Sequence, residues 1–434
     1  MSTNSKPFAF QRNIKILIWV FGLLLAWPFL RSLSTNNDLN IFFGAAERLT
    51  QLKNPYTTPY NAQGWALYYY YSPLFASLLA PFTWLPTFIV SEEIPFGLFV
   101  LKLLWNALNL YFVYQLVLFV ERTFLPSRDK KGFVFWLCFA LLTYRWVFLN
   151  LLYGQMTILI VWAVVKAFDG KISGSIKKNL GLAFGVTLKI LPVYMVGQLF
   201  LMRKWKAFTT AVVLSVLMVV LPYAYLPTAY HTEILLSWLN NINPFSKNHI
   251  VELGEGGFID MGELITKYLT GLNIEGEARV DWFSMGASGV FITTQLFRLL
   301  VLASCWFWLE RFRKSAMPHW ELLTMSVFLA CIPLAFPHQR DYSLFMVWPL
   351  LLFMLYDVIF NPSTVKSFSF YGLLLGAILM GSVVFFEALP FDIRRDISGY
   401  RIQGLGGLIF LIFAQGYLWN KSKGLGENTI GIER

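Results

Sequence analysis

Apolar stretches of about 20 residues, the length a helix needs to cross a bilayer, recur from one end of this 434-residue chain to the other. They lie near 14–33, 67–90, 96–120, 133–150, 155–170, 180–201, 207–227, 288–310, 320–336, 342–360, 369–389 and 403–419, which predicts about 12 transmembrane helices. Only 14% of the residues are charged, against 57% hydrophobic and 18% aromatic, whereas an ordinary soluble domain carries about 25% charged residues. A soluble fold has no way to hide so much apolar side chain. The expected class is an all-α polytopic integral membrane protein, a single membrane-embedded domain over residues 1–434 with the lipid bilayer as its partner.

The net charge of +11 sits in short clusters between these segments: Arg128-Asp129-Lys130-Lys131, Lys177-Lys178, Arg203-Lys204-Trp205-Lys206 and Arg311-Phe312-Arg313-Lys314. Retention of basic loops in the cytoplasm accounts for most of them, and no nucleic-acid partner is expected. The N-terminus and the 420–434 tail read as cytoplasmic, the tail as disordered, and the polar loops 34–66 and 228–287 as external. Counting back from the C-terminus places His338 on the same, external side as Asp38. Twelve simple crossings would leave Arg128–Lys131 and Lys177-Lys178 outside, against the charge rule. A re-entrant 67–90 with a broken hairpin at 180–201 would bring both inside, and Pro192, three residues after Lys189, is a plausible break. Charge alone leaves both topologies open. The basic start followed by Ile14 to Phe29 has the form of a signal peptide, but the run is long and no small-residue cleavage site follows, so an uncleaved first span is expected. Cys138, Cys305 and Cys331 all lie in apolar segments and are expected to pack as small hydrophobes.

Between Asp38 and Lys53, Leu39, Phe42, Phe43, Ala46, Leu49 and Leu52 recur at helical spacing with polar residues between them, which predicts a helix in the membrane interface. Asp38, beside Asn36 and Asn37 at its start, suits a helix cap and equally a general base at the membrane lip. Tyr70-Tyr71-Ser72-Pro73-Leu74 suits an aromatic belt entering the bilayer, or the wall of a sugar site. Lys189 is a cation inside an apolar segment, a placement that calls for snorkelling to the surface, an anionic partner or a lipid phosphate. His338, with Arg340 and Asp341, lies at the outer end of a span and suits a hydrogen bond in a solvated loop or a substrate contact. The remaining histidines, His231, His249 and His319, lack metal-ligand spacing, and there is no P-loop, dinucleotide fingerprint or D-x-D motif. No metal or other cofactor is expected.

Four ordered stretches carry a resemblance: Asp38-Leu39-Asn40-Ile41-Phe42-Phe43-Gly44-Ala45-Ala46; Tyr70-Tyr71-Ser72-Pro73-Leu74 with Pro81 and Leu85-Pro86; Gly154-Gln155 leading to Gly181–Pro192; and Ala335-Phe336-Pro337-His338. Together the sequence resembles glycosyltransferase family 87, polyprenyl-phosphate-mannose-dependent mannosyltransferases of the GT-C fold. The resemblance implies a polyprenyl-phosphate-sugar donor, a glycolipid or glycan acceptor, and transfer with inversion on the periplasmic or outer face of the plasma (inner) membrane. It makes Asp38 the catalytic base and places His338 in the same external pocket. Lys189, His338, Arg340, Gln155, Tyr70 and Tyr71 would then contact the donor phosphate or sugar. Thr157 stands where the family often has asparagine, and Phe258-Ile259-Asp260-Met261-Gly262 replaces a usual Asn-x-x-Ser-like stretch. A transporter or lipid flippase, built around the intramembrane charges Lys102, Arg145, Lys189 and Asp357, is the alternative from another class. A lipid-linked polysaccharide polymerase or ligase is a third.

Overall fold

A computed structural model describes residues 7–62, 65–91, 94–124, 130–243, 258–270, 284–315, 319–362, 367–381, 389–390, 393 and 400–430. Among these residues six helices are long and apolar enough to cross a membrane: Phe96–Phe124, Lys130–Leu152, Trp205–Ala224, Ala287–Lys314, Asp341–Phe360 and Ile402–Lys423. Their outward faces are apolar: Val216 and Leu217 are each 55% exposed and Leu300 is 69% exposed. Side chains of that kind belong against lipid, since a helix satisfies its own backbone there. The protein is a multi-pass membrane protein. Lys366, residues 244–257 and 271–283 of the 228–287 loop, and most of the 391–401 loop lie outside the described residues.

The chain forms two compact units. One comprises Leu25–Leu118 and Phe148–Asn243. It takes in part of α1 (Pro7–Ser34), α2 (Asp38–Thr50), a small hairpin of β1 (Tyr60–Ala62) and β2 (Trp65–Leu67), and α3 (Pro73–Thr83). A second small hairpin, β3 (Ile89–Ser91) and β4 (Ile94–Pro95), leads into α4 (Phe96–Phe124). The end of α5 (Lys130–Leu152) then precedes α6 (Thr157–Phe168), α7 (Ile176–Leu188), α8 (Val193–Leu201), α9 (Trp205–Val220) and α10 (Thr228–Asn241).

Two stretches of this unit depart from simple crossings. In 67–90 the only helix is α3, whose 11 residues reach about 16 Å, too short for a hydrocarbon core of about 30 Å. Ser72 caps it, accepting from the Phe75 N–H, and Pro73 occupies the first turn, where its missing N–H costs nothing. In 180–201 the chain breaks between α7 and α8: Lys189 is extended (φ −141°, ψ 114°) and Pro192 precedes the new helix. Neither stretch is one uninterrupted helix of membrane-crossing length. The polar loops meet here too: the Asn54 side chain donates to Glu233 (2.9 Å) and to Ser237 (3.0 Å), and the Tyr230 hydroxyl to the Lys53 carbonyl (2.8 Å).

Helix α2 forms where its periodicity predicts. Its apolar side is covered by protein: Leu39, Phe42, Phe43, Ala46 and Leu49 are buried, and so are Ile41 and Ala45. Phe42 packs edge-on against Tyr71 (4.6 Å) and Phe75 (5.2 Å). Leu52, expected on the same stripe, is 52% exposed because the helix has already ended and its φ is +55°.

The other unit comprises Met1–Leu24, Phe119–Val147 and Pro244–Arg434. It holds most of α5, then α11 (Met261–Leu269), α12 (Ala287–Lys314), α13 (Trp320–Ala335), α14 (Trp348–Phe360), α15 (Ser367–Leu379) and α16 (Ile402–Ile430). A short 3₁₀ turn, Asp341–Val347, leads into α14. Helices α15 and α16 approach closely: a Cβ on Gly406 would sit 2.5 Å from the Met380 nitrogen, and one on Gly376 2.8 Å from the Phe410 nitrogen. Small residues permit such contact between membrane helices. The last helix, expected to end near 419 with a disordered tail, continues to Ile430.

Several buried charges in this unit have partners among the described residues. Arg145 donates to Asp341 at 2.7 Å. Asp357 accepts from Tyr417, Lys421 and Asn361. Arg298 donates through Nε to the Ala335 carbonyl (2.7 Å), tying α12 to the end of α13. Cys305 and Cys331 are buried as free thiols with sulfurs 3.9 Å apart.

Candidate active site

Three residues at the start of α2 could cap it, and the one that does is Asn37. Its side-chain oxygen accepts from the Leu39 N–H (3.1 Å), and its own N–H donates to the Asn40 side chain (3.1 Å), so the two close a capping box. The Asn37 amide nitrogen also donates to the Leu152 carbonyl at 3.0 Å, fastening the start of α2 to the end of α5. Asp38 is therefore the first helical residue rather than the cap. Its carboxylate is half-buried, at the positive end of the helix dipole, where an anion is favoured.

Asp38 is engaged by Gln155, whose side-chain amide donates to Oδ2. That choice of amide orientation follows from the partner, because a carboxylate only accepts. Gln155 is fully buried, and its backbone is fixed on both sides. Its N–H donates to the Asn150 carbonyl (2.8 Å), and its own carbonyl accepts from Trp105 Nε1 (3.3 Å) and the Asn109 side chain (3.1 Å) on α4. The turn that delivers it uses Gly154 at φ +65°, where a Cβ would also lie 2.5 Å from Leu39 Cγ. The side-chain oxygen of Gln155 is buried with no hydrogen-bond partner among the described residues.

Lys189, at the break after α7, is close enough to Asp38 to feel its charge, and its ammonium lies 5.8 Å from the centre of the Tyr71 ring. Tyr71 itself is buried core, with its carbonyl accepting from the Tyr56 hydroxyl at 2.7 Å. Tyr70 is half-buried, and its carbonyl accepts from Trp238 Nε1 at 3.2 Å. Helix α4 also anchors the α1–α2 junction: Lys102 donates to the Thr35 carbonyl (2.6 Å), and Asn106 donates to Ser32. Asp38, Gln155, Lys189 and Tyr71 thus gather within one unit. Asn37, Trp105 and Asn109 complete their support and were not singled out by sequence. The sole local signal was the Asn36-Asn37 pair before a helix.

His338 and Arg340 belong to the other unit. His338 has φ +57°, and its ring stands edge-on to Phe258 at 5.3 Å. The Arg340 guanidinium lies 5.4 Å from the Phe258 ring centre, and the two residues pair as an isolated β-bridge. The Ile259 N–H donates to the Gln339 carbonyl at 2.7 Å, so this stretch docks residues 258–260 ahead of α11. Asp260 caps α11, accepting from the Gly262 (3.0 Å) and Glu263 (3.4 Å) N–H groups.

Burial raises the Asp260 carboxyl from 3.8 to about 6, against the lowering effects of those N–H groups, of the Gln339 N–H and of the Arg298 charge. A raised folded value means that the protonated form is the one favoured by folding. Its contribution is full below about pH 4 and is lost as pH rises through about 6. Docking of 258–269 should therefore loosen across that interval, seen as amide exchange corrected for its intrinsic rate. Asp260→Asn keeps an oxygen for the helix N–H groups and should flatten the dependence.

A family model for glycosyltransferase family 87 matches residues 69–337, well over half of the chain. The chain belongs to glycosyltransferase family 87. It is a membrane glycosyltransferase, and the family accordingly brings a sugar donor and an acceptor as substrates. The family 87 match takes in Tyr70, Tyr71, Gln155 and Lys189; Asp38, His338 and Arg340 lie beyond its ends. No curated protein and no solved structure matches the chain.

Asn37→Ala offers a contrast within this site. It removes the cap at a cost of about 1 kcal/mol but leaves the Asp38 carboxylate in place, so glycosyl transfer should persist while thermal stability falls. Transfer and melting temperature measured on the same preparation check both halves.

Proposed function

We propose that this protein transfers a hexose, mannose by the family resemblance, from a polyprenyl-phosphate donor to a hydroxyl of a glycolipid or glycan, with Asp38 as the base. The observation that supports it most is the division of labour at α2. Asn37 does the capping, which leaves Asp38 with a carboxylate oriented by a buried amide and lying in the field of Lys189. Such an oriented carboxylate can take the acceptor proton. The freed oxygen attacks the anomeric carbon as the bond to the phosphate oxygen breaks, and the electron pair leaves with the polyprenyl phosphate. A single in-line displacement inverts configuration, so a β-linked donor gives an α-linked product. Phosphate is a stable leaving anion, and the Lys189 ammonium supplies compensating charge.

The proposed frame is a GT-C fold with about twelve membrane segments, some short or broken, and its reaction on the non-cytoplasmic face. Structural partners weigh against the transporter reading: Lys102, Arg145 and Asp357, three of the four charges that suggested it, are engaged within the fold. Proteoliposomes loaded with radiolabelled polyprenyl-phosphate-mannose and a mixed glycolipid acceptor separate the two. A glycosyltransferase moves label into the acceptor, whereas a flippase moves intact donor across the bilayer and makes no new glycoside.

A further inference from the structure

In the unit that holds α11 to α16, the basic end of α12 opens onto a cavity of about 600 Å³. We propose that this cavity binds the phosphate headgroup of an anionic phospholipid. Phe307, Arg311 and Lys314 line it at i, i+4 and i+7 of α12, a spacing that puts them on one helix face. Trp306 and Glu310 line it beside them, as does Ser422 of α16. Trp306 is 50% and Phe307 45% exposed, so the face runs from lipid-facing aromatics to cations at the helix end. An acyl chain followed by its phosphate presents the same order.

Arg311 is already fixed for this role. Its Nε donates to Ser422 Oγ at 2.5 Å, and its guanidinium lies 4.2 Å from the centre of the Trp419 ring. Ser422 is held in turn by donating to the Trp419 carbonyl at 2.7 Å. An arginine so restrained loses little side-chain freedom on binding and presents a fork that matches phosphate oxygens. The lining carboxylate, Glu310, is paired with Arg313 at 2.6 Å, so among the described residues it does not neutralise Arg311 or Lys314. Cytoplasmic retention of basic residues accounts for their presence. It does not account for a cavity, aromatic walls and an arginine locked by the neighbouring helix.

The chemistry recognised is a phosphate anion, and a free phosphate is the other source of it. Full-length protein in non-ionic detergent is titrated with phosphatidylglycerol, phosphatidylcholine and inorganic phosphate, and bound lipid is counted by native mass spectrometry. Phosphatidylglycerol should bind about tenfold more tightly than phosphatidylcholine, with no saturable effect of inorganic phosphate. Arg311→Gln with Lys314→Gln should weaken phosphatidylglycerol about tenfold, and Lys314→Gln alone, at an exposed position, about threefold. Lys130→Gln with Lys131→Gln, an equal loss of charge at exposed positions of α5, should change nothing. Equal binding of the two lipids, equal loss in the two double variants, or inorganic phosphate binding as tightly as the lipid would each overturn the proposal.

Discussion

With Asp38 replaced by asparagine, hexose transfer should fall by about 10²–10⁴-fold, the range that a positioned general base contributes, while donor binding and thermal stability stay near the wild type. Asparagine keeps the shape of the side chain and an oxygen for the Gln155 amide. The cap is untouched because Asn37 forms it. Loss of the negative charge from the first turn costs only about 0.3–1 kcal/mol of helix-dipole stabilisation. A turnover defect with an unchanged KM for the donor is thus the signature of lost chemistry rather than lost structure. Comparable losses of stability in Asp38→Asn and Asn37→Ala, with transfer intact in both, would return Asp38 to the role of a helix-end residue.

The largest stability effect should come from Arg145→Met, at about 3–5 kcal/mol. Arg145 is 3% exposed and pairs with Asp341, 22% exposed, at 2.7 Å. Removing the cation leaves the largely buried Asp341 carboxylate without this partner, and an uncompensated charge of that kind is expensive. Adding Asp341→Asn to Arg145→Met should restore part of the loss, because the stranded charge is gone; a double-mutant cycle on thermal unfolding measures the coupling. Additive losses would mean that the pair does not act as a unit.

The sequence pattern announces α2 well, because a helix with one apolar stripe leaves its period in the chain, and Lys189 with Pro192 announces the break after α7. Residues 67–90 stay ambiguous in the sequence for a physical reason: hydropathy measures transfer out of water and cannot tell a bilayer from a protein interior. A buried 11-residue helix and a lipid-crossing span both read as apolar. The candidate site was half legible. Asp38 and Gln155 stand out as polar residues at helix ends, but their pairing spans 117 positions and no local pattern encodes it. Asn36, Asn37 and Asp38 are all competent caps, and the selection of Asn37 includes its bond to Leu152, 115 positions away. Likewise Arg145 reads as an isolated charge in an apolar run until Asp341, 196 positions later, is folded beside it.

The most direct test is the anomeric configuration of the product formed by purified wild-type protein and by Asp38→Asn from β-linked polyprenyl-phosphate-mannose, read by NMR of the new glycoside. An α-linked product from the wild type, with the variant making the same product at a rate lower by about 10²–10⁴, is the predicted result. A β-linked product, or an undiminished rate in the variant, would contradict a single displacement driven by Asp38.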